Sequence, residues 1–460
     1  MKSSGGLWKR KSDRKPDMGL ACSSNSRGGL TQALDELRRS YEYLWEHAAT
    51  GIPAVGRTYL QEEQSVRQGK GEEILERIKR ELRRPPRTVS EQEATREHFF
   101  SLVAEFVQST LDLPERHLQI ILSPEFNETA ACFSFAARYF DPNISQEDIF
   151  QAARNAVAMN AIQYLAGVPV SLTPAIFAYS LLYPYTDNYL DDPFVTNRAK
   201  EAFNDRLARR LLGEMVSPED KREEFVYELV GMIEAQYNRE GYPQVFESLS
   251  YLHRAQTRSL RLLAPIEPVT EDEILGISFD KGGSSVVADG CLVAGWLSEA
   301  RVDFLYGLGA FLQLVDDLQD LYRDLSVGAH TIFSESAGRS TLEEIVNRTF
   351  YLGSQVIARA GCFNDPKAGS LKELMEWSVF FLLEEAVGRA GNLFSPGYLD
   401  QVESRLPFRF AFLEEQRIQI TRELPAIIRF FEAFNSKGSS EASHWGQIKE
   451  LIDQRRPQPG

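Results

Sequence analysis

The sequence predicts an all-α fold, on three observations. Apolar residues recur every three to four positions through most of the chain. Proline and glycine cluster between these stretches, as at 241–243, 265–268, 395–397 and the Gly282 and Gly283 pair. No run alternates apolar and polar residues as a half-buried strand would. The helical period predicts helices over 30–46, 72–82, 99–111, 145–164, 198–212, 222–237, 245–263, 286–325, 342–360, 371–390 and 410–434. The helix over 72–82 stops before Pro85 and Pro86. Together these predict one large all-α domain over 30–435. It lies between a basic, Ser- and Gly-rich tail at 1–29, expected to be disordered, and a polar C-terminal tail at 436–460.

Charge narrows the function. The 460 residues carry 51 Lys and Arg against 66 Asp and Glu, a net charge of −15, which disfavours non-specific nucleic-acid binding. A chain this acidic needs local cations to handle an anionic substrate, and bound metal is one source. Cys22, Cys132, Cys291 and Cys362 are far apart with no CxxC pair, so neither a disulfide framework nor a zinc site is expected. The N-terminal tail has no apolar core of a secretory signal, and a cytoplasmic setting is the expectation. No charge falls between Arg154 and Asp187, but Pro169, Pro174, Pro184, Asn160, Gln163, Ser171 and Ser180 interrupt the stretch. That composition predicts a buried helix or helix pair rather than a membrane span.

Two aspartate clusters carry the chemistry. In the run from Phe311 to Asp324, residues Asp316, Asp320 and Asp324 are spaced by four, with Asp317 beside them. Spacing by four places side chains on one helix face, about 6 Å apart along the axis. Carboxylates so placed repel one another unless a cation sits among them, and hard oxygen donors suit Mg²⁺ in the company of a diphosphate. The second cluster is Asp187, Asp191 and Asp192, at the end of the uncharged stretch. The plainer reading of either cluster is a solvated helix end. It fits the Asp316 cluster poorly, since that follows directly on the apolar run Phe311-Leu-Gln-Leu-Val.

The stretch Tyr306-Gly307-Leu-Gly309-Ala-Phe-Leu-Gln313-Leu-Val-Asp316-Asp317-Leu-Gln-Asp320 resembles the second aspartate-rich helix of the trans-isoprenyl diphosphate synthase and class I terpene synthase superfamily. Lys281-Gly282-Gly283-Ser284, 35 residues before Asp316, stands where those enzymes carry a Lys-Thr-Gly element. The resemblance covers roughly 133–334. It implies a single antiparallel helical bundle of the isoprenoid synthase type around a deep apolar cavity. At its mouth Asp187, Asp191, Asp192, Asp316, Asp317, Asp320 and Asp324 would bind Mg²⁺, three ions with a prenyl diphosphate bound. Asp187, Asp191, Asp316, Asp320 and Lys281 would carry the catalysis. Lys281, Arg258, Arg261, Arg323 and His330 would contact diphosphate. The cavity wall would include Phe133, Phe177, Tyr179, Tyr183, Phe311 and Gln313. Each arginine could instead be a surface ion pair, and each aromatic ordinary core packing. The resemblance also allows a homodimer.

The departures favour a cyclase. The first motif reads Asp187-Asn-Tyr-Leu-Asp191-Asp192, only Arg198 follows it closely, and no GKRxRP-like element lies upstream, Arg116-His117 being a poor substitute. The expectation is therefore a Mg²⁺-dependent terpene synthase. A chain-elongating or squalene-synthase-like prenyltransferase is the alternative, and a non-catalytic partner subunit of such an enzyme a further one.

Overall fold

A computed structural model describes residues 29–53, 56–192, 194–263, 268–339, 341–363, 368–435 and 443–455. The helices run α1 (Leu30–Glu46), α2 (Gln61–Leu82), α3 (Val89–Phe106), α4 (Glu115–Ile121), α5 (Pro124–Phe140), α6 (Gln146–Leu165) and α7 (Pro174–Asp191). Next come α8 (Asn197–Leu211), α9 (Lys221–Gln236), α10 (Pro243–Ser259), α11 (Glu271–Ala294), α12 (Glu299–Gln319) and α13 (Leu321–Val327). The remainder are α14 (Ile332–Ser336), α15 (Thr341–Ala358), α16 (Ala368–Ala390), α17 (Pro396–Glu403), α18 (Phe410–Asn435) and α19 (Ser443–Arg455). Among the described residues there is no strand, so the all-α expectation holds. No described helix is long and apolar enough to cross a membrane.

Local chemistry sets many of the helix starts. Ser145, Thr173, Thr196, Asp220 and Thr270 each accept a backbone N–H of the first turn of α6, α7, α8, α9 and α11. Pro174 follows Thr173 at the first helical position of α7, where a missing N–H costs nothing. Pro184 does not break α7, which continues through it to Asp191 and so keeps Tyr183 and Asp187 on one helix.

At the centre lies α11, apolar or small on nearly every face and packed by α1, α6, α7, α10 and α12. Here the structure corrects the sequence reading. From sequence, Gly282 and Gly283 look like punctuation and 286–325 like one helix. Instead α11 runs straight through both glycines, and a turn at Gly295, φ +74°, separates it from α12. The reason is contact between helices. A Cβ on Gly282 would stand 2.3 Å from the Gly309 carbonyl oxygen, and one on Gly309 2.1 Å from the Gly282 carbonyl oxygen. The glycines let the two backbones touch, which offsets their helix-weakening entropy. Gly309→Ala should therefore lower the unfolding free energy by about 3 kcal/mol. Gly69→Ala on α2, where a Cβ meets nothing within 4 Å, should raise it by up to ~1 kcal/mol. Urea unfolding midpoints of the two variants check this.

The C-terminal region differs too. Residues 443–455, expected within a polar tail, form α19, and its Trp445, Ile448 and Ile452 are buried. Their spacing of three and four makes one apolar stripe. Trp445 packs edge-on to Phe135 and Tyr139 of α5, itself a helix missing from the predicted set. Residues 1–28, 436–442 and 456–460 of the expected tails lie outside the described residues.

Candidate active site

A cavity of about 440 Å³ opens between α6, α7, α8, α10, α11 and α12. Its lining is two-sided. Gln151, Arg154 and Asn155 of α6, Lys281 and Ser285 of α11, and Gln313 and Asp316 of α12 make a polar side. Leu207 and Leu211 of α8 with Leu249, Leu252 and His253 of α10 make a mostly apolar one. Tyr179, Tyr183 and Thr186 of α7 line it as well. Lys281 and Ser285 share a face of α11 by their spacing of four, as Gln151 and Asn155 do on α6.

The second aspartate cluster straddles a helix junction. Asp320 ends α12 and leads into α13. The Asp320 N–H still donates to the Asp316 carbonyl, and the Asp324 N–H to the Asp320 carbonyl, both at 2.9 Å, so the three acids keep one face. Asp316 keeps exposed surface, yet the protein around it desolvates its carboxyl. That desolvation, then the Asp320 charge, raises its pKa against the pull of Lys281, Arg154 and Arg389. Burial and the neighbouring Asp320 push Asp324 up to about 6. Asp317 points elsewhere. It is buried, accepts from Gln313 Nε2 at 2.8 Å and Ser278 Oγ at 3.1 Å, and burial pushes it up to about 7.

In the first cluster, Asp187 Oδ1 accepts from Thr186 Oγ1 at 3.2 Å and from the cavity-lining Gln256 Nε2 at 3.4 Å. Asp192 closes α7, its Oδ1 accepting the Phe194 N–H at 2.8 Å. The Asp191 side chain lies outside the described residues. Both aspartate-bearing helices thus border one cavity. Among the described residues no group of three or more His, Cys, Asp or Glu stands close enough to hold an ion alone. The donor chemistry nevertheless fits Mg²⁺. The ligating atoms on offer are all carboxylate oxygens, Asp316, Asp320 and Asp324 load one another with like charge, and this ion is usually held by one or two carboxylates plus phosphate and water oxygens.

Other expected site residues are engaged elsewhere. Arg258 pairs with Asp280 at 3.0 Å and Arg261 with Glu273 at 2.8 Å. His330 Nδ1 meets Glu335 at 2.6 Å, and the His330 backbone N–H donates to the Leu262 carbonyl, which ties the α13–α14 connection to the end of α10. Arg323, by contrast, stays with the cluster and reaches Asp320 at 3.4 Å. Phe133 and Phe177 pack on each other at 5.6 Å in the core, and Phe311 packs against Phe380 at 6.3 Å, away from the cavity lining. Tyr179, Tyr183, Gln313 and Lys281 do line it. Arg116 and His117 are both taken by Glu373.

Among the residues that the sequence reading missed are four ionisable ones. Arg154 of α6 reaches the cavity, and the sequence shows it only as the last charge before the uncharged stretch. Arg389 of α16 comes within 4.0 Å of Asp320. Asp280, beside Lys281 but turned away, is buried under the hydroxyls of Tyr251 and Tyr306 and the guanidinium of Arg258. Asp289, two turns beyond Lys281, is fully buried with one long hydrogen bond from Asn155 Nδ2 at 3.4 Å, and burial pushes it up to about 8. Nothing local marks either buried aspartate. Compared with protein-family models and with curated proteins, the chain matches none.

Proposed function

We propose that the chain is a class I terpene synthase that ionises a prenyl diphosphate and steers the allylic cation to a terpene hydrocarbon or alcohol. The observation that carries this reading is the cavity's mixed lining, with an acid and cations from α6, α11 and α12 and leucines from α8 and α10. An ionic head on a hydrocarbon tail needs both. Asp187, Asp316, Asp320 and Asp324 would hold Mg²⁺, which supplies charge neutralisation for the departing diphosphate. Lys281 and Arg154 add fixed positive charge at the same end. Leu207, Leu211, Leu249 and Leu252 keep water from the chain, and Tyr179 and Tyr183 offer ring faces to a developing cation.

One observation favours chain elongation as a second reading. Arg323, Arg389 and Arg417 gather with Asp320 and Glu414 around a separate cleft of about 440 Å³. The sequence showed no such basic element, and a second diphosphate would need one. Incubation with Mg²⁺, a panel of allylic diphosphates and labelled isopentenyl diphosphate separates the two. The expected products are an unlabelled terpene and free diphosphate. Label in a longer diphosphate would establish elongation instead, and no diphosphate release from any allylic substrate would sink both readings.

A further inference from the structure

His253 is the basic side chain on the leucine side of the cavity, and the mechanism above leaves it unused. It lies on α10 between Leu249, Leu252 and Gln256, all cavity-lining, and is 8% exposed. Its Nε2 is 3.0 Å from the backbone carbonyl oxygen of Asn204 on α8. A carbonyl only accepts, so Nε2 carries the hydrogen, and in the neutral ring Nδ1 keeps the lone pair. Burial lowers the imidazole pKa and so favours the neutral ring near pH 7. The other polar groups on the lining are amides, hydroxyls and cations, or Asp316 of the aspartate cluster.

We infer that His253 is a catalytic residue, the base that ends the reaction by taking a proton from the hydrocarbon cation through Nδ1. The inference rests on the terpene synthase reading. In the step, the C–H bond next to the cationic carbon breaks, its electron pair becomes a new C=C bond, and the proton binds Nδ1. The imidazolium then passes that proton to the released diphosphate or to water, which restores the neutral ring. The product of this step is a hydrocarbon. The Asn204 carbonyl stabilises the imidazolium, because Nε2–H becomes a stronger donor when the ring is charged.

The test uses His253→Gln in the full chain, with Mg²⁺ and the allylic diphosphate that wild type turns over. The glutamine amide can keep the N–H bond to Asn204 but cannot accept the proton. Expected are a melting temperature close to wild type, diphosphate release within about 3-fold, and at least a 10-fold fall in the hydrocarbon-to-alcohol ratio as water captures the cation. An unchanged product profile overturns the inference, as does a wild type that makes alcohol alone. A measurement on wild type covers a variant that fails to fold. The charges acting on His253 are Asp205 of α8, which raises its pKa, and Arg254 of α10, which lowers it, and Lys281, Arg154 and Asp316 share the cavity lining with it. The hydrocarbon share should fall as pH drops through a value below 6.5, and a flat ratio overturns the inference. Wild type releasing no diphosphate would overturn the underlying function as well, whereas release with an unaltered His253→Gln profile overturns this assignment alone.

Discussion

Asp316→Asn is expected to cut diphosphate release from an allylic substrate by about 10²- to 10³-fold, the usual cost of removing one group that stabilises charge in a transition state. Asp316 is the aspartate of its cluster that lines the cavity, and Lys281, Arg154 and Arg389 all act on it. The fold should not suffer. Burial first, and the Asp320 charge second, raise its folded pKa above the unfolded value. An acid shifted that way contributes stability that is present below its unfolded pKa and lost as pH rises through the folded one. At neutral pH the charge is therefore a burden, and a neutral asparagine leaves the melting temperature unchanged or raised. Steady-state diphosphate release together with thermal unfolding checks both halves. Full activity in the variant would remove the cluster from the mechanism, and a collapsed melting temperature would mark Asp316 as structural.

Asp289→Asn should stabilise the protein by on the order of 4 kcal/mol at pH 7 and by almost nothing at pH 4. Asp289 is fully buried in α11, accepts one hydrogen bond from Asn155, and has its pKa pushed to about 8 by burial. In the unfolded chain it ionises near 4. Between those values the unfolded state gives up its proton while the folded state holds it, so this group's share of the stability falls as pH rises from about 4 to 8. Asparagine has nearly the same shape, and its side-chain oxygen can accept the same bond from Asn155. Denaturant unfolding of both proteins at pH 4, 6 and 8 gives the difference. Parallel curves would mean that the Asp289 carboxyl is solvated or paired. Asp317 and Glu384, each pushed up to about 7, contribute to both proteins alike and cancel in the comparison.

The Gly282 and Gly309 contact shows where sequence reading loses its grip. A glycine pair inside a periodic segment looks like a break, because alone it weakens a helix. Its benefit appears only once a second backbone lies against it, 2.3 Å from where a Cβ would be. The missed α19 follows the same logic. Its apolar stripe of Trp445, Ile448 and Ile452 is short, and its composition is polar until α5 covers that stripe.

By itself the sequence determined the helical class, the extents of α6, α8 and α9 to within a residue or so, and the four-residue spacing that keeps Asp316, Asp320 and Asp324 on one face. These depend on interactions within a turn or two of helix, which the order of residues encodes directly. Tertiary structure alone decided that Arg154 and Lys281 join Asp316 at one cavity, and that Arg389 approaches Asp320. It also decided that Arg258 is spent on Asp280, and that His253 stands among leucines with its Nε2 already bound. Those placements turn on which helix faces pack together across long stretches of chain, and a charge or an imidazole looks the same in the sequence whether it meets a cavity, a carboxylate or water.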